Sequence, residues 1–167
     1  MAATYDPLYT ASLSGVASYT FSTISSAYTD LIIVINGSTG GASANPFIQL
    51  NGTSSSNYYR MYCEGTGGGA TPAKPNGGGN QWAGDLSNNM YLYEWSTIVA
   101  HIMDYNSTHN WKTIMTRWGN SYSGNAGQSL VVNTLAATGA VTSIKVGVNT
   151  SSFISGSNVT IYGIAAA

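Results

Sequence analysis

Length, composition and charge limit what this chain can be before any motif is considered. Its 167 residues suit a single domain, since domains most often contain about 100–150 residues. Charged residues make up only 7% of the chain, against about 25% in a typical soluble domain, and the net charge is -1. With five scattered basic residues and no long apolar run, we expect no nucleic-acid and no membrane partner.

Short runs rich in β-branched and aromatic residues alternate with Gly, Asn and Ser along the chain, which is typical of strands and turns. No segment combines helical spacing with helix-favouring residues. We predict about ten strands, at residues 8–13, 18–24, 31–36, 47–51, 58–63, 95–103, 111–118, 130–135, 141–148 and 159–164. Strands without intervening helices exclude a βαβ architecture. The prediction is an all-β, antiparallel two-sheet sandwich, jelly-roll-like, in a single domain of residues 1–167.

Three residue pairs predict turns between these strands: Asn36-Gly37, Asn51-Gly52 and Ser155-Gly156. Asn and Gly tolerate the positive φ that tight chain reversals require. Two further segments are predicted: an extended N-terminal arm at residues 1–10, whose end overlaps the first predicted strand, and an irregular Gly-rich loop at residues 65–81. The loop lacks the Gly-x-x-x-x-Gly-Lys-Ser/Thr pattern of a phosphate-binding loop.

Two predicted strands are apolar on both faces. Residues 31–35 are apolar at every position, and residues 98–103 are interrupted only by His101. Continuous apolar character predicts that neither face of these strands meets water. One face packs on the opposite sheet, and the second is covered either by a loop of this chain or by a partner subunit. Residues 143–148 alternate instead, which predicts a strand with one solvent-facing side.

Ionisable residues are concentrated only at Glu94, His101 and Asp104. A glycosidase places two carboxylates roughly 5–10 Å apart, whereas ten residues of straight strand separate Glu94 from Asp104 by about 33 Å. No Gly-x-Ser-x-Gly nucleophile turn is present. His101 and His109 lie in different predicted settings, and Cys63 is the only cysteine, so neither a metal site nor a disulfide is expected. We therefore predict a protein that is not an enzyme and has no cofactor.

Aromatic residues are the better candidates for function. Exposed aromatic rings stack on sugars or anchor protein interfaces, although such rings also serve as ordinary core residues in sandwiches. The candidate interaction surface comprises Tyr5, Tyr9, Trp82, Tyr91, Tyr93, Trp95 and His101.

Several segments stand out along the chain: SYTFSTI (18–24), AYTDLIIV (27–34), IQLNG (48–52) with SNY (56–58), and ISGSNVTIYGI (154–164). Together they resemble a family of small β-sandwich virion proteins of tailed bacteriophages. The resemblance covers roughly the first 62 residues and the last dozen, and leaves the middle of the chain unmatched. Members of this family include capsid decoration (cement) proteins and tail or fibre components. The family supplies no catalytic residues. Some members have an aspartate directly after the Asn-Gly pair that corresponds to Asn51-Gly52, and this chain has Thr53 at that position.

The resemblance implies a capsid decoration protein that bridges subunits of the major capsid protein and stabilises the shell. It further implies a homotrimer on the outer surface of the virion, synthesised in the host cytoplasm. The arm at residues 1–10 and the loop after Gly65 are candidates for reaching neighbouring subunits. The alternative is a tail or fibre tip domain that binds a host receptor or glycan. A cellular carbohydrate-binding sandwich also stays open.

Overall fold

The structure, a computed structural model, describes residues 5–40, 44–53, 55–66, 69–76, 95–120 and 127–165. Within these ranges the chain forms eleven strands and a single 3-10 turn at Ser55–Asn57. The strands are β1 (Asp6–Ser12), β2 (Ser18–Phe21), β3 (Asp30–Gly37), β4 (Pro46–Leu50), β5 (Tyr58–Thr66), β6 (Gly69–Asn76), β7 (Ser96–Met103), β8 (Lys112–Asn120), β9 (Gly127–Leu135), β10 (Ile144–Val148) and β11 (Asn158–Ile164). None of the helical segments in these ranges has the length and apolar character needed to cross a membrane.

The strands form two antiparallel sheets. The large sheet has eight strands in the order β1-β11-β3-β7-β8-β9-β5-β6, and the small sheet has three in the order β2-β10-β4. Their apolar inner faces contribute to one hydrophobic cluster. The predicted all-β, two-sheet sandwich is therefore confirmed, while the jelly-roll arrangement stays a prediction.

Alternating burial fixes how each strand faces the core. In β10, Ile144 and Val146 are fully buried and Lys145 between them points outward. Burying an aliphatic side chain of this size contributes about 1.5–3 kcal/mol. A shift of one residue would turn Lys145 into the core, so the register of β10 against β2 and β4 is strongly specified.

Two predicted irregular segments contain strands, and both corrections have a physical reason. The strand predicted at residues 8–13 is present but starts at Asp6, because Asp6–Ser12 pairs with β11, so from Asp6 onward the predicted arm belongs to the sheet. The predicted loop at residues 65–81 is wrong over much of its length, because β5 runs to Thr66 and β6 follows it. This strand contains Pro72 and Pro75. They are tolerated there because β6 is an edge strand, where proline is compatible with pairing on one side only.

The predicted turn at Asn51-Gly52 is confirmed. Both residues have positive φ, 49° at Asn51 and 65° at Gly52. The Thr53 N–H donates to the Leu50 carbonyl at 2.9 Å and closes the turn. This turn starts the crossover from the small sheet to the large one.

The other two predicted turns differ in outcome. Gly156 has a φ of 92°, and the Ser157 N–H donates to the Ile154 carbonyl at 3.2 Å, so this turn is confirmed. The turn predicted at Asn36-Gly37 is wrong, because both residues continue β3. Gly37 packs closely there instead, since a Cβ atom would lie 3.1 Å from the Ser157 Oγ, tighter than an ordinary contact.

A buried lysine organises the hairpin between β7 and β8. Lys112 is fully buried, and its Nζ donates to the backbone carbonyls of Asp104, Ser107 and Asn110. Burial lowers the pKa of Lys112, and the nearby Asp104 carboxylate acts in the opposite direction. The ammonium therefore holds the hairpin against the end of the large sheet.

Candidate functional site

The outward side of the large sheet is the principal candidate surface. Successive side chains of a strand point to opposite faces, and in β3 the alternate residues Leu31, Ile33 and Ile35 are fully buried. Ile32 and Val34 lie on the other side and are partly exposed. The sandwich core therefore covers one apolar face of β3, as expected. Coverage of the second face, either by a loop of this chain or by a partner subunit, stays a prediction.

The pairing register shows which outward residues are neighbours across six strands. One cross-strand row consists of Tyr162, Ile32, His101, Met115, Val132 and Met61. The adjacent row consists of Thr160, Val34, Val99, Arg117, Leu130 and Cys63. These two rows, together with Asp30, Tyr59 and Trp111, are here named the outer face. It is largely apolar although it lies opposite the core.

Exposure on the outer face is greatest toward β5. Tyr59 is 48% exposed, Met61 50%, Leu130 43% and Trp111 55%. Scattered exposed apolar residues are normal, but a contiguous group of large ones on one side of a domain marks an interaction surface. Aromatic residues and methionine are also enriched in protein interfaces.

Tyr59 and Trp111 form an aromatic pair at one end of the outer face. Their ring centroids lie 6.3 Å apart, and the ring planes differ by only 3°. The buried neighbours Tyr58 and Lys112 force these two side chains outward, because alternate residues of a strand take opposite faces. The pair thus presents parallel aromatic surfaces at an exposed position.

An acid and an imidazole lie among the apolar residues. The His101 Nε2 is 2.8 Å from the Asp30 Oδ2. The second oxygen of Asp30 accepts a hydrogen bond from the Asp104 N–H at 2.8 Å. Asp30 therefore ties β7 to the start of β3 and fixes the orientation of the His101 ring. His101 contributes an oriented polar group to an otherwise apolar row.

Arg117 is the cation of the outer face. Its side chain is exposed and forms no hydrogen bond or ion pair with the residues that the structure describes. A groove of about 450 Å³ lies on one side of it, lined in part by Cys63, Gln128 and Leu130. A second groove of about 380 Å³, lined in part by Thr97 and Val99, lies on the other. An exposed guanidinium between two shallow grooves can bind a carboxylate in a bidentate manner.

The sequence-predicted site residues are dispersed. Tyr5 is 57% exposed and Trp95 50%, whereas Tyr9 is half-buried and its hydroxyl donates to the Thr23 carbonyl. His101 lies on the outer face. Trp82, Tyr91 and Tyr93 lie outside the described residues.

Four large exposed apolar side chains of the outer face were not predicted as site residues: Tyr59, Met61, Trp111 and Leu130. Tyr59 and Met61 belong to a correctly predicted strand, and their alternation with Tyr58 and Arg60 was the available signal. That signal is ambiguous, because alternation alone does not say which side of a strand meets the core. The grouping with Trp111 and Leu130 depends on the strand order.

Of the two carboxylates considered for catalysis, the structure describes one, Asp104. The Asp104 carboxylate accepts a hydrogen bond from the Asn110 side-chain amide at 2.9 Å within the β7–β8 hairpin. Its predicted separation from Glu94 is not tested, since Glu94 lies outside the described residues. Among the residues that are described, no three His, Cys, Asp or Glu side chains cluster closely enough to hold a metal ion.

Comparison with known proteins returns no family model, no curated protein and no solved structure that matches this chain. The interpretation of the outer face therefore depends on its own chemistry: exposed apolar and aromatic side chains, one oriented imidazole and one cation without an ion-pair partner among the described residues. These groups favour recognition of another molecule through a broad contact.

Proposed function

We propose that this chain is a non-enzymatic structural protein of a tailed-bacteriophage particle, and specifically a capsid decoration protein on the outer surface of the virion. The group of four large exposed apolar side chains on the outer face supports this proposal most directly. The particle class comes from the resemblance of residues 18–62 and 154–164 to virion proteins.

The proposed mechanism is burial of the outer face against the major capsid protein at junctions between its subunits. Interfaces that hold stably bury roughly 800 Å² on each partner, and a flat sheet face can provide such an area. Burying exposed Met61 and Leu130 supplies hydrophobic stabilisation. Arg117 adds specificity for an acidic group on the capsid. A homotrimer on the outer surface of the virion remains part of the proposal as an implication of the resemblance.

Copy number tests the assignment. Gel densitometry of purified virions should give hundreds of copies per particle, and removal of the protein should lower the temperature at which the capsid breaks. Tens of copies per particle, with no change in that temperature, would contradict a decoration role and support a tail component.

A binding experiment tests the surface. Met61→Lys combined with Leu130→Lys should weaken binding to capsids lacking the protein by at least about tenfold, because two charges would have to be desolvated. Val16→Lys is the matched control, since Val16 is 38% exposed but lies in the turn before β2, away from the outer face. Equal binding of both variants would exclude the outer face as the capsid contact.

The Tyr59–Trp111 pair favours a second function, recognition of a host glycan by a tail or fibre tip. The apolar C–H face of a sugar ring packs well on an exposed aromatic ring, and two parallel rings extend that surface. Tyr59→Ala and Trp111→Ala should then each abolish binding in a glycan array while leaving the virion copy number unchanged. Glycan binding by a chain absent from any particle would instead indicate a cellular carbohydrate-binding sandwich.

A further inference from the structure

Proline marks the outer strands of both sheets, with one exception. The edge strands are β1 and β6 in the large sheet and β2 and β4 in the small sheet. The four prolines of the chain are Pro7 in β1, Pro46 in β4, and Pro72 and Pro75 in β6. Proline lacks an N–H donor, and natural sheets use it on edges to prevent pairing with other chains. Among the edge strands that the structure describes, only β2 lacks this protection.

Two of the proline-bearing edge strands, β4 and β1, have further features that hinder pairing with a strand of another chain. In β4, the N–H of Leu50 donates to the hydroxyl of Tyr58 at 2.8 Å. This bond uses a backbone donor that would otherwise serve another strand. In β1, the register shifts between Pro7 and Tyr9, and such a bulge bends an edge away from regular pairing.

The backbone groups that β2 presents outward follow from its pairing with β10. The Val148 N–H donates to the Ala17 carbonyl at 2.9 Å, so this pair is hydrogen-bonded. Hydrogen-bonded and non-hydrogen-bonded pairs alternate along an antiparallel ladder. The N–H and C=O groups of Ser18 and Thr20 therefore point away from β10. Within the part of the chain that the structure describes, these groups form no hydrogen bond with another element.

The side chains of β2 are compatible with a second copy of the same strand. Its sequence SYTF contains no charged residue, so self-pairing brings no like charges together. Tyr19 is 41% exposed at this edge, and its ring packs edge-on against Phe21 at a centroid distance of 4.9 Å. A large exposed aromatic ring beside unpaired backbone groups favours an ordered partner strand.

We infer that two copies of this chain associate through antiparallel pairing of their β2 strands across a twofold axis, joining two three-stranded sheets into one of six strands. Ser18 of each copy lies opposite Thr20 of the other, which forms four backbone hydrogen bonds. The two Tyr19 rings then meet at the axis and cover each other. Because β2 has only four residues, the contact is small and the dimer forms in a concentration-dependent manner.

This contact is separate from the outer face and does not depend on the proposed function. On a symmetric shell it would join neighbouring copies through an isologous interface. A weak contact of this kind gains strength when both copies are also held on the same particle.

A charge-swap experiment on the purified full chain tests the pairing. In the inferred register the two Thr20 side chains lie diagonally on one face, about 7–8 Å apart, within reach of long side chains. Sedimentation velocity should show a concentration-dependent dimer for the wild-type chain. Thr20→Lys alone should shift the midpoint of dimerisation at least about fivefold upward. Thr20→Glu alone should shift it less, because Lys145 of the same chain lies opposite residue 20. An equimolar mixture of the two variants should restore the wild-type midpoint.

Several results would overturn this inference. The first is a wild-type chain that stays monomeric at millimolar concentration, and the second is a mixture of the two charge variants that behaves like its components. The third is a dimer lost in the Met61→Lys, Leu130→Lys variant but kept in Thr20→Lys, which would assign dimerisation to the outer face. Thermal unfolding of each variant establishes that it is folded. Failure of capsid binding leaves the dimerisation result unchanged, so the two proposals fail separately.

Discussion

The Nε2 of His101 lies 2.8 Å from the Oδ2 of Asp30 in a mainly apolar sheet face, and Asp30 also accepts the Asp104 N–H. One carboxylate thus links β3, β7 and the hairpin that follows β7. This arrangement explains why a polar pair is present in strands that are otherwise apolar. One oxygen of the Asp30 carboxylate fixes the backbone where the chain turns after β7, and the other forms a hydrogen bond with His101.

We predict that Asp30→Ala lowers the free energy of unfolding by about 1–3 kcal/mol, because it leaves the Asp104 N–H and the His101 ring without their acceptor. Urea unfolding followed by tryptophan fluorescence measures the change. Asp30→Asn is the matched control, since its amide oxygen can still accept one of these bonds, and it should lose less. Equal losses for both variants would indicate that the charge, rather than the hydrogen bonds, is what matters.

Asn51 connects the β4 turn to the segment that enters β10. Its Oδ1 accepts from the N–H groups of Thr142 and Ser143 at 2.8 and 3.1 Å, and its amide donates to the Ala140 carbonyl at 2.8 Å. Asn51→Ala loses these bonds and places alanine at a φ of 49°. The free energy of unfolding should therefore fall by about 2–4 kcal/mol.

The control for this position is Asn51→Asp, which keeps the Oδ1 acceptor and tolerates positive φ. It replaces the amide donor to the Ala140 carbonyl by a second acceptor oxygen, so it should lose part of the stability but less than Asn51→Ala in the same urea titration. Equal losses for the two variants would contradict a net stabilising role of the bonds from Thr142 and Ser143.

Alkaline pH should destabilise the fold through Tyr58. Burial raises the pKa of Tyr58 to about 12, while the hydrogen bond from the Leu50 N–H acts in the opposite direction. Between pH 10 and 12 the unfolded chain loses this proton and the folded chain keeps it, so the contribution to stability present below pH 10 is lost as pH rises. By pH 12 the loss should reach roughly 2–3 kcal/mol.

Tyr58→Phe separates this effect from general alkaline unfolding. At pH 7 it should cost about 1–3 kcal/mol, because the buried Leu50 N–H loses its acceptor. From pH 10 to 12 its unfolding free energy should fall less steeply than that of the wild-type chain. Parallel slopes in the two proteins would contradict the assignment to Tyr58.

Gly163 permits Tyr28 to pack against β11. A Cβ atom at Gly163 would lie 2.5 Å from the Tyr28 Cγ, closer than any ordinary contact. Gly163→Ala should therefore lower the unfolding free energy by about 1–3 kcal/mol through overpacking. Gly139→Ala is the control, since nothing lies within 4 Å of its Cβ position, and differential scanning calorimetry compares the two. A Gly163→Ala variant as stable as the control would mean that the Tyr28 ring moves aside freely.

Local sequence patterns predicted much of the fold because they reflect short-range physics. The strand β10 could be located from the alternation of Ile144, Lys145 and Val146, and the Asn51-Gly52 turn from its tolerance of positive φ. The strand β6 could not be located in this way. Its Gly and Pro residues carry the signature of a loop, and only its position at the edge of the sheet makes pairing possible.

The sequence alone determined the all-β class, the poverty in charge and the double apolar character of β3 and β7, because these depend on residue type and short spacing. The tertiary structure decided which apolar residues form a surface. Tyr59 and Trp111 are 52 positions apart and become neighbours only through the order β8-β9-β5. It also decided that β2 is the edge without proline, since strand order depends on long-range pairing that no local pattern specifies.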